Sequence, residues 1–195
     1  MAKNRKVSKW LWIGVPIAVV LLFVFWIGGT YNSLIRLDEA VGNAWGNVQT
    51  AYQRRADLIP SLVETVKAYT DYEGPLLKEI TDARASVGRA GTPEQLSQAG
   101  AEMNSAVSRL LVTVENYPDL KANENFLDLQ VQLEGTENRI KVERDNYNKA
   151  VQYLNVKVRR FPSNIIAGWF GFGQKTYFEA DDGAEKRVDV GSLFK

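Results

Sequence analysis

Between Trp10 and Ile35 no residue carries a charge, and from Trp10 to Gly29 nearly every side chain is apolar. Twenty residues of helix rise ~30 Å, the thickness of a bilayer's hydrocarbon core. Trp10, Trp12 and Trp26 stand near the two ends of the run, where indoles favour the headgroup boundary. Lys3, Arg5, Lys6 and Lys9 precede it without one acidic residue among them. The positive-inside rule therefore puts residues 1–9 in the cytoplasm and the rest of the chain across the membrane. The reading is an uncleaved single-pass transmembrane helix over residues 10–30. A cleaved signal peptide is the alternative, kept open by the small residues Gly28, Gly29 and Thr30. Its apolar part would normally be shorter, ~7–15 residues. A lipoprotein signal is excluded, because the chain has no Cys to carry the lipid.

The rest of the 195 residues suffices for one compact domain. Lys and Arg number 24 against 23 Asp and Glu, and no basic face with interleaved aromatics stands out, so nucleic acid is not an expected partner. With neither Cys nor His, thiol and imidazole chemistry, disulfides and ordinary zinc sites are excluded. The di-iron pattern of helical bundles needs Glu-x-x-His, and no EF-hand loop is present. Asp57, Glu64, Glu115, Glu124 and Glu137 are scattered at spacings typical of solvated faces or ion pairs between helices. The expectation is no cofactor, no metal and no enzyme.

Apolar residues past the anchor recur every three or four positions, the signature of packed helices. Leu34, Leu37, Val41, Ala44, Val48 and Ala51 mark a first helix, free to continue from the membrane span with Gly28-Gly29 as the flexure. Pro60 suits the first turn of a second helix, so a turn is expected around Arg54–Pro60. That second helix carries Leu62, Val66, Leu76, Leu77, Ile80 and Ala83 inward, with a kink or restart at Gly74-Pro75. Thr92-Pro93-Glu94-Gln95 reads as cap, first-position Pro and capping-box Gln of a third helix through Met103, Leu110 and Val114, which Pro118 ends or bends. A fourth runs from about Asn123 to Arg160 through Phe126, Leu129, Leu133, Ile140, Tyr147 and Leu154. No strand signal precedes residue 160. The fold class is all-α: a transmembrane helix, then a long-helix antiparallel four-helix bundle over residues 31–160.

Two clusters invite a functional reading. Arg54, Arg55 and Asp57, with Glu137 on a facing helix, form either a docking site for a partner or a structural tie that caps the expected turn. Asn125, Asn138, Asn146 and Asn148 read as satisfied polar groups between helices. An even number of antiparallel helices then returns the chain to the membrane side. It brings back Arg159 and Arg160 and the aromatic, glycine-rich segment 161–178, with Trp169, Phe170 and Phe172. That segment is a membrane-interface contact, a hydrophobic flap on the bundle, or both. Residues 179–195 form a polar tail expected to be poorly ordered.

Specific stretches carry a resemblance. They include Tyr31-Asn32, Trp45, Arg54-Arg55 with Asp57-Leu58-Ile59-Pro60, Leu62 to Tyr69, Ser108 to Leu111, and Glu115 to Phe126 (ENYPDLKANENF). Glu137-Asn138, Tyr147-Asn148, Phe161 to Phe172 (FPSNIIAGWFGF) and Tyr177-Phe178-Glu179 complete them. In these the chain resembles the LemA family of bacterial membrane proteins, departing from it at Ser61, Tyr72, Leu154 and Gly74-Pro75. The resemblance implies an N-terminal membrane helix and a helical bundle, and it implies no reaction. The expected role is a non-catalytic scaffold, adaptor or membrane organiser of the bacterial plasma (inner) membrane, with the bundle outside the cytoplasm. Its expected partners are membrane lipid, further copies of itself or another membrane protein. The alternative is an accessory regulator of a membrane enzyme such as a zinc peptidase, beside which the family is encoded in some genomes.

Overall fold

A computed structural model describes residues 5–69 and 75–179, except for the side chains of residues 5–11 and 13. Lys3, the side chains of Arg5, Lys6, Lys9 and Trp10, Tyr72, Gly74 and the tail from residue 180 lie outside the described residues. Among those described, every regular element is a helix: α1 (Arg5–Tyr69), α2 (Pro75–Arg89), α3 (Pro93–Val114), α4 (Pro118–Lys121), α5 (Glu124–Arg159) and α6 (Ser163–Trp169).

The turn expected at Arg54–Pro60 does not exist. α1 runs unbroken through Gly28-Gly29 and through Pro60 to Tyr69. A proline inside a helix has no N–H for the carbonyl four residues back, which here belongs to Ala56. Arg84 of α2 supplies the missing donor, its Nε lying 3.1 Å from Ala56 O. The helix continues because a residue 28 positions away satisfies the carbonyl that Pro60 strands. α2 then starts at Pro75, the restart the sequence pattern placed there.

The chain divides into two compact units, Met1–Ala44 with Lys149–Lys175 and Trp45–Asn148 with Thr176–Lys195. The second unit is an antiparallel bundle of α2, α3 and the stretches of α1 and α5 that fall within it. Three contacts fix the α1–α5 register: Asn123 to the Tyr69 hydroxyl, Arg55 to Glu137, and the Trp45 ring against Tyr147. Each step back along α1 is matched by an equal step forward along α5, as antiparallel helices require. The core holds Val48, Ile59, Leu62 and Val66 from α1, Ile80 from α2, Leu96, Met103 and Leu110 from α3, and Phe126 and Leu133 from α5. Thr92 caps α3 by accepting from Gln95 N at 3.2 Å, while Gln95 Oε1 accepts from Gly91 N at 2.9 Å. Asn123 caps α5, its Oδ1 accepting from Phe126 N at 3.0 Å.

The first unit packs Leu34 and Val41 of α1, Val151 and Leu154 of α5, and Ile166 and Ala167 of α6 into its own core. α5 ends where the Ser163 hydroxyl lies 2.6 Å from Lys157 O and 2.8 Å from Arg160 O, covering carbonyls that a helix C-terminus leaves open. Just past the end of α6 stands Gly171, whose φ of +75° only a glycine adopts freely. Phe172 N then reaches back 2.9 Å to Ala167 O in a Schellman closure.

Candidate functional site

In the second unit Arg55 is buried, and its Nη1 donates to Glu137 Oε2 on α5. Burial pushes the Arg55 pKa down and the Glu137 carboxylate opposes that shift, with a smaller contribution from Tyr52. Arg55 Nε is enclosed without a hydrogen-bond acceptor. Arg54 and Asp57 stand on the exposed side of the same helix. There Asp57 Oδ1 accepts from Gln53 Nε2 at 2.8 Å and faces Arg84 Nη2 at 3.8 Å. The structure thus joins Arg55 to Glu137 and separates both from Arg54. The carbonyl-capping role belongs to Arg84, which sequence reasoning did not single out.

Beside the pair lies a cavity of about 650 Å³, lined by Tyr52, Glu94, Gln98, Asn104, Glu137, Arg144 and Tyr177 among others. Its wall includes Gly100, where a Cβ would meet the Tyr52 ring at 2.4 Å. Glu94, near the α3 N-terminus, has its pKa held down by its own backbone N–H and the Thr92 hydroxyl. Tyr147 is pushed up by burial and then by the Glu94 charge. Among the described residues no three His, Cys, Asp or Glu side chains gather as a metal site would require.

Asparagines hold the non-helical chain after α6. In the first unit Asn155 pairs with both backbone groups of Lys175, Nδ2 to O and Oδ1 from N, each at 2.9 Å. In the second, Asn148 pairs in the same way with Phe178, at 3.0 and 2.8 Å. Asn148 therefore grips backbone rather than a neighbouring helix, and Asn146 bonds Glu143 on its own helix. Asn125 is exposed, and Asn138 lines a cavity of about 400 Å³ with Arg55 and Glu137.

The aromatic segment belongs to the first unit as far as Lys175. Phe170 and Phe172 set their rings 4.6 and 6.0 Å from Tyr31 of α1. Trp26, Thr30, Arg160 and Phe161 share a cavity of about 430 Å³. Ser163, Ile166 and Ala167 face inward, whereas Phe161, Ile165, Trp169 and Phe170 are exposed. Arg159 and Arg160 are exposed beside them, and Trp12 is exposed on the apolar part of α1. Among the described residues one helix, over its portion Gly14–Tyr69, is long and apolar enough to cross a membrane.

Comparison with known proteins adds a family. The family model described as the LemA family matches residues 44–191. The chain is similar to Protein LemA of Metamycoplasma hominis, with 27% identity over 188 residues that cover 94% of this chain and 84% of the relative. Magnetosome protein MamQ 2 of Paramagnetospirillum magneticum is 22% identical over 207 residues, covering 93% and 76%. Magnetosome protein MamQ of Magnetospirillum gryphiswaldense is 19% identical over 211 residues, covering 95% and 78%. Each alignment is too long to begin at residue 44, so the likeness takes in much of the apolar part of α1.

Proposed function

The chain belongs to the LemA family, and on that footing we propose that it acts by binding, as a non-catalytic scaffold or adaptor anchored in the bacterial inner membrane. It organises copies of itself or another membrane protein, with residues 1–9 in the cytoplasm and the bundle outside. One observation carries the reading: four of the buried polar side chains among the described residues are paired within the chain itself. Arg55 holds Glu137, Glu143 holds Arg139 and Asn146, Asn155 holds Lys175, and Ser163 closes α5. Glu143 and Ser163, the buried acid and the buried hydroxyl among them, are spent on holding the fold.

The test is affinity purification of the full-length protein from native membranes in mild detergent, with mass spectrometry and a measured oligomer mass. Co-recovery of several copies, or of a membrane partner without enzymatic activity, supports the scaffold reading. Stoichiometric recovery of a membrane peptidase whose activity changes when this protein is removed replaces it with the regulator reading. A reporter active only outside the cytoplasm, fused after Lys195, reads the orientation; silence reverses it.

A further inference from the structure

We propose that the outer face of α6 lies in the membrane interface, as a second, in-plane contact with the bilayer that α1 enters. The inference rests on the chain being membrane-anchored and does not depend on the scaffold role. Phe161, Ile165 and Trp169 follow one another at intervals of four, and they are 75%, 43% and 67% exposed. Ile165 and Trp169 lie within α6, where that spacing puts them on one side of the helix, and Phe161 stands exposed just before it. Phe170 extends the same exposed surface. The opposite side, Ser163, Ile166 and Ala167, is already buried in the first unit. So α6 is apolar on both faces, and only one is covered by protein. With seven residues it is far too short to span a bilayer.

Position decides what covers the other face. α6 sits beside the part of α1 that follows the apolar run directly, with Phe170 on Tyr31. Tyr31 is five residues past Trp26, a rise of ~7.5 Å along the helix. The interfacial zone on each side of the hydrocarbon core is about 5–8 Å thick. Trp26 and Phe161 line the same cavity, so the outward stripe begins at the level where an indole of the span marks the boundary. Arg159 and Arg160 stand exposed at the start of the segment, placed for lipid phosphates. Large apolar rings outward, arginines beside them and a span ending one turn away are the elements of an interfacial contact.

Depth-resolved quenching tests it in the full-length chain. Vesicles of phosphatidylglycerol and phosphatidylethanolamine carry acyl chains brominated at a shallow position. One variant keeps Trp169 alone, with Phe at the other four tryptophans. A second keeps Trp12 alone. A third has no native tryptophan and carries Val112→Trp on the exposed side of α3. Trp169 is expected to emit at shorter wavelength than the indole at position 112 and to lose most of its emission to the brominated lipid. Trp12 quenching reports the anchor independently. A quenched Trp12 with Trp169 as unquenched as position 112 overturns the α6 contact and leaves membrane anchoring standing. An unquenched Trp12 removes the anchor itself. Blue emission from Trp169 without quenching, growing with protein density, means that a second copy covers the face, and it too overturns the proposal. If the multiple replacement lowers helicity, a nitroxide on Gly168→Cys reads the same depth. No other Cys competes for label there, and beyond the adjoining residues and the helix's own backbone no atom lies within 4 Å of the new Cβ.

Discussion

Along α1, Val15 to Phe25 leave their large side chains exposed, while Val48, Ile59, Leu62 and Val66 are enclosed, although both stretches belong to one helix. The first stretch is apolar all round, the pattern of a helix whose surroundings are themselves apolar. The second is apolar only every third or fourth residue, because its other side meets water. The same contrast separates the aromatic groups. Tyr31, Phe170 and Phe172 form a ring contact in the first unit with Phe170 left half exposed. Trp45, Tyr147 and Phe178 form one in the second with Tyr147 and Phe178 buried. Exposed apolar residues occur singly along the bundle, as at Val112 and Val131, but run without interruption only where a stretch is apolar all round.

The largest effect that separates the regions is loss of core volume. Leu110 of α3 is fully enclosed, so Leu110→Ala is expected to cost ~2–5 kcal/mol through lost burial and the cavity left behind. Leu22→Ala, on the exposed run of α1, should leave bundle unfolding unchanged. Denaturant titration of the full-length chain in detergent micelles, followed by circular dichroism, measures both. Equal losses would mean that the exposed run packs against the bundle and is no membrane span.

Next comes the Arg55–Glu137 pair; among the described residues of the first unit no charged side chain is buried. Glu137→Ala leaves the enclosed Arg55 charge unpaired, at an expected cost of about 2–3 kcal/mol, moderated because Glu137 is itself partly solvated. Arg55→Met with Glu137→Leu removes both charges and should recover most of that loss. A double variant as unstable as the single would show that the pair stabilises the bundle beyond satisfying Arg55.

Both experiments use residues that the sequence itself already marks, and what the sequence withholds lies elsewhere. The seams were legible because burial repeats locally: Leu96, Ala99, Met103, Ala106, Leu110 and Val114 are all enclosed, as their spacing required. The Thr92 cap and the Pro75 restart were legible for the same reason, each depending on neighbours a few residues away. The passage of α1 through Pro60 was not, because the donor that makes it possible is Arg84. Nor were the clamps of Asn148 and Asn155, whose partners follow α6 and are backbone groups without any residue signature. Contacts that depend on distant chain and not on residue type leave no local pattern.

Glycine gives a smaller contrast. A Cβ at Gly100 would come within 2.4 Å of the buried Tyr52 ring, so Gly100→Ala should destabilise the bundle by ~1–3 kcal/mol as the ring is displaced. Gly42, in the first unit, has nothing within 4 Å of such a Cβ. Gly42→Ala should instead stabilise by up to ~1 kcal/mol, the helix-propensity gain at an exposed site. Thermal unfolding of the two variants reads the signs, and a stabilising Gly100→Ala would mean that the Tyr52 ring yields freely.

The smallest effect concerns pH, and it belongs to the buried aromatic group. Tyr147 donates to Thr176 O at 3.1 Å, and its pKa is raised by burial and then by Glu94. A raised pKa means that folding favours the neutral phenol. Its contribution is therefore complete below the unfolded value of about 10 and declines as pH climbs through the folded value. A phenolate would be partly desolvated, would lose the proton it donates to Thr176, and would face a carboxylate. At pH 8 Tyr147→Phe should cost ~0.5–1.5 kcal/mol for the lost hydrogen bond. Above pH 10 the parent loses its advantage while the Phe variant has no phenol to ionise, so the two stability curves should converge. Unfolding midpoints measured from pH 8 to 11 test this directly. A gap that stays constant over that range would show that the Tyr147 hydroxyl is free to ionise, and that the second aromatic group is as open to water as the first.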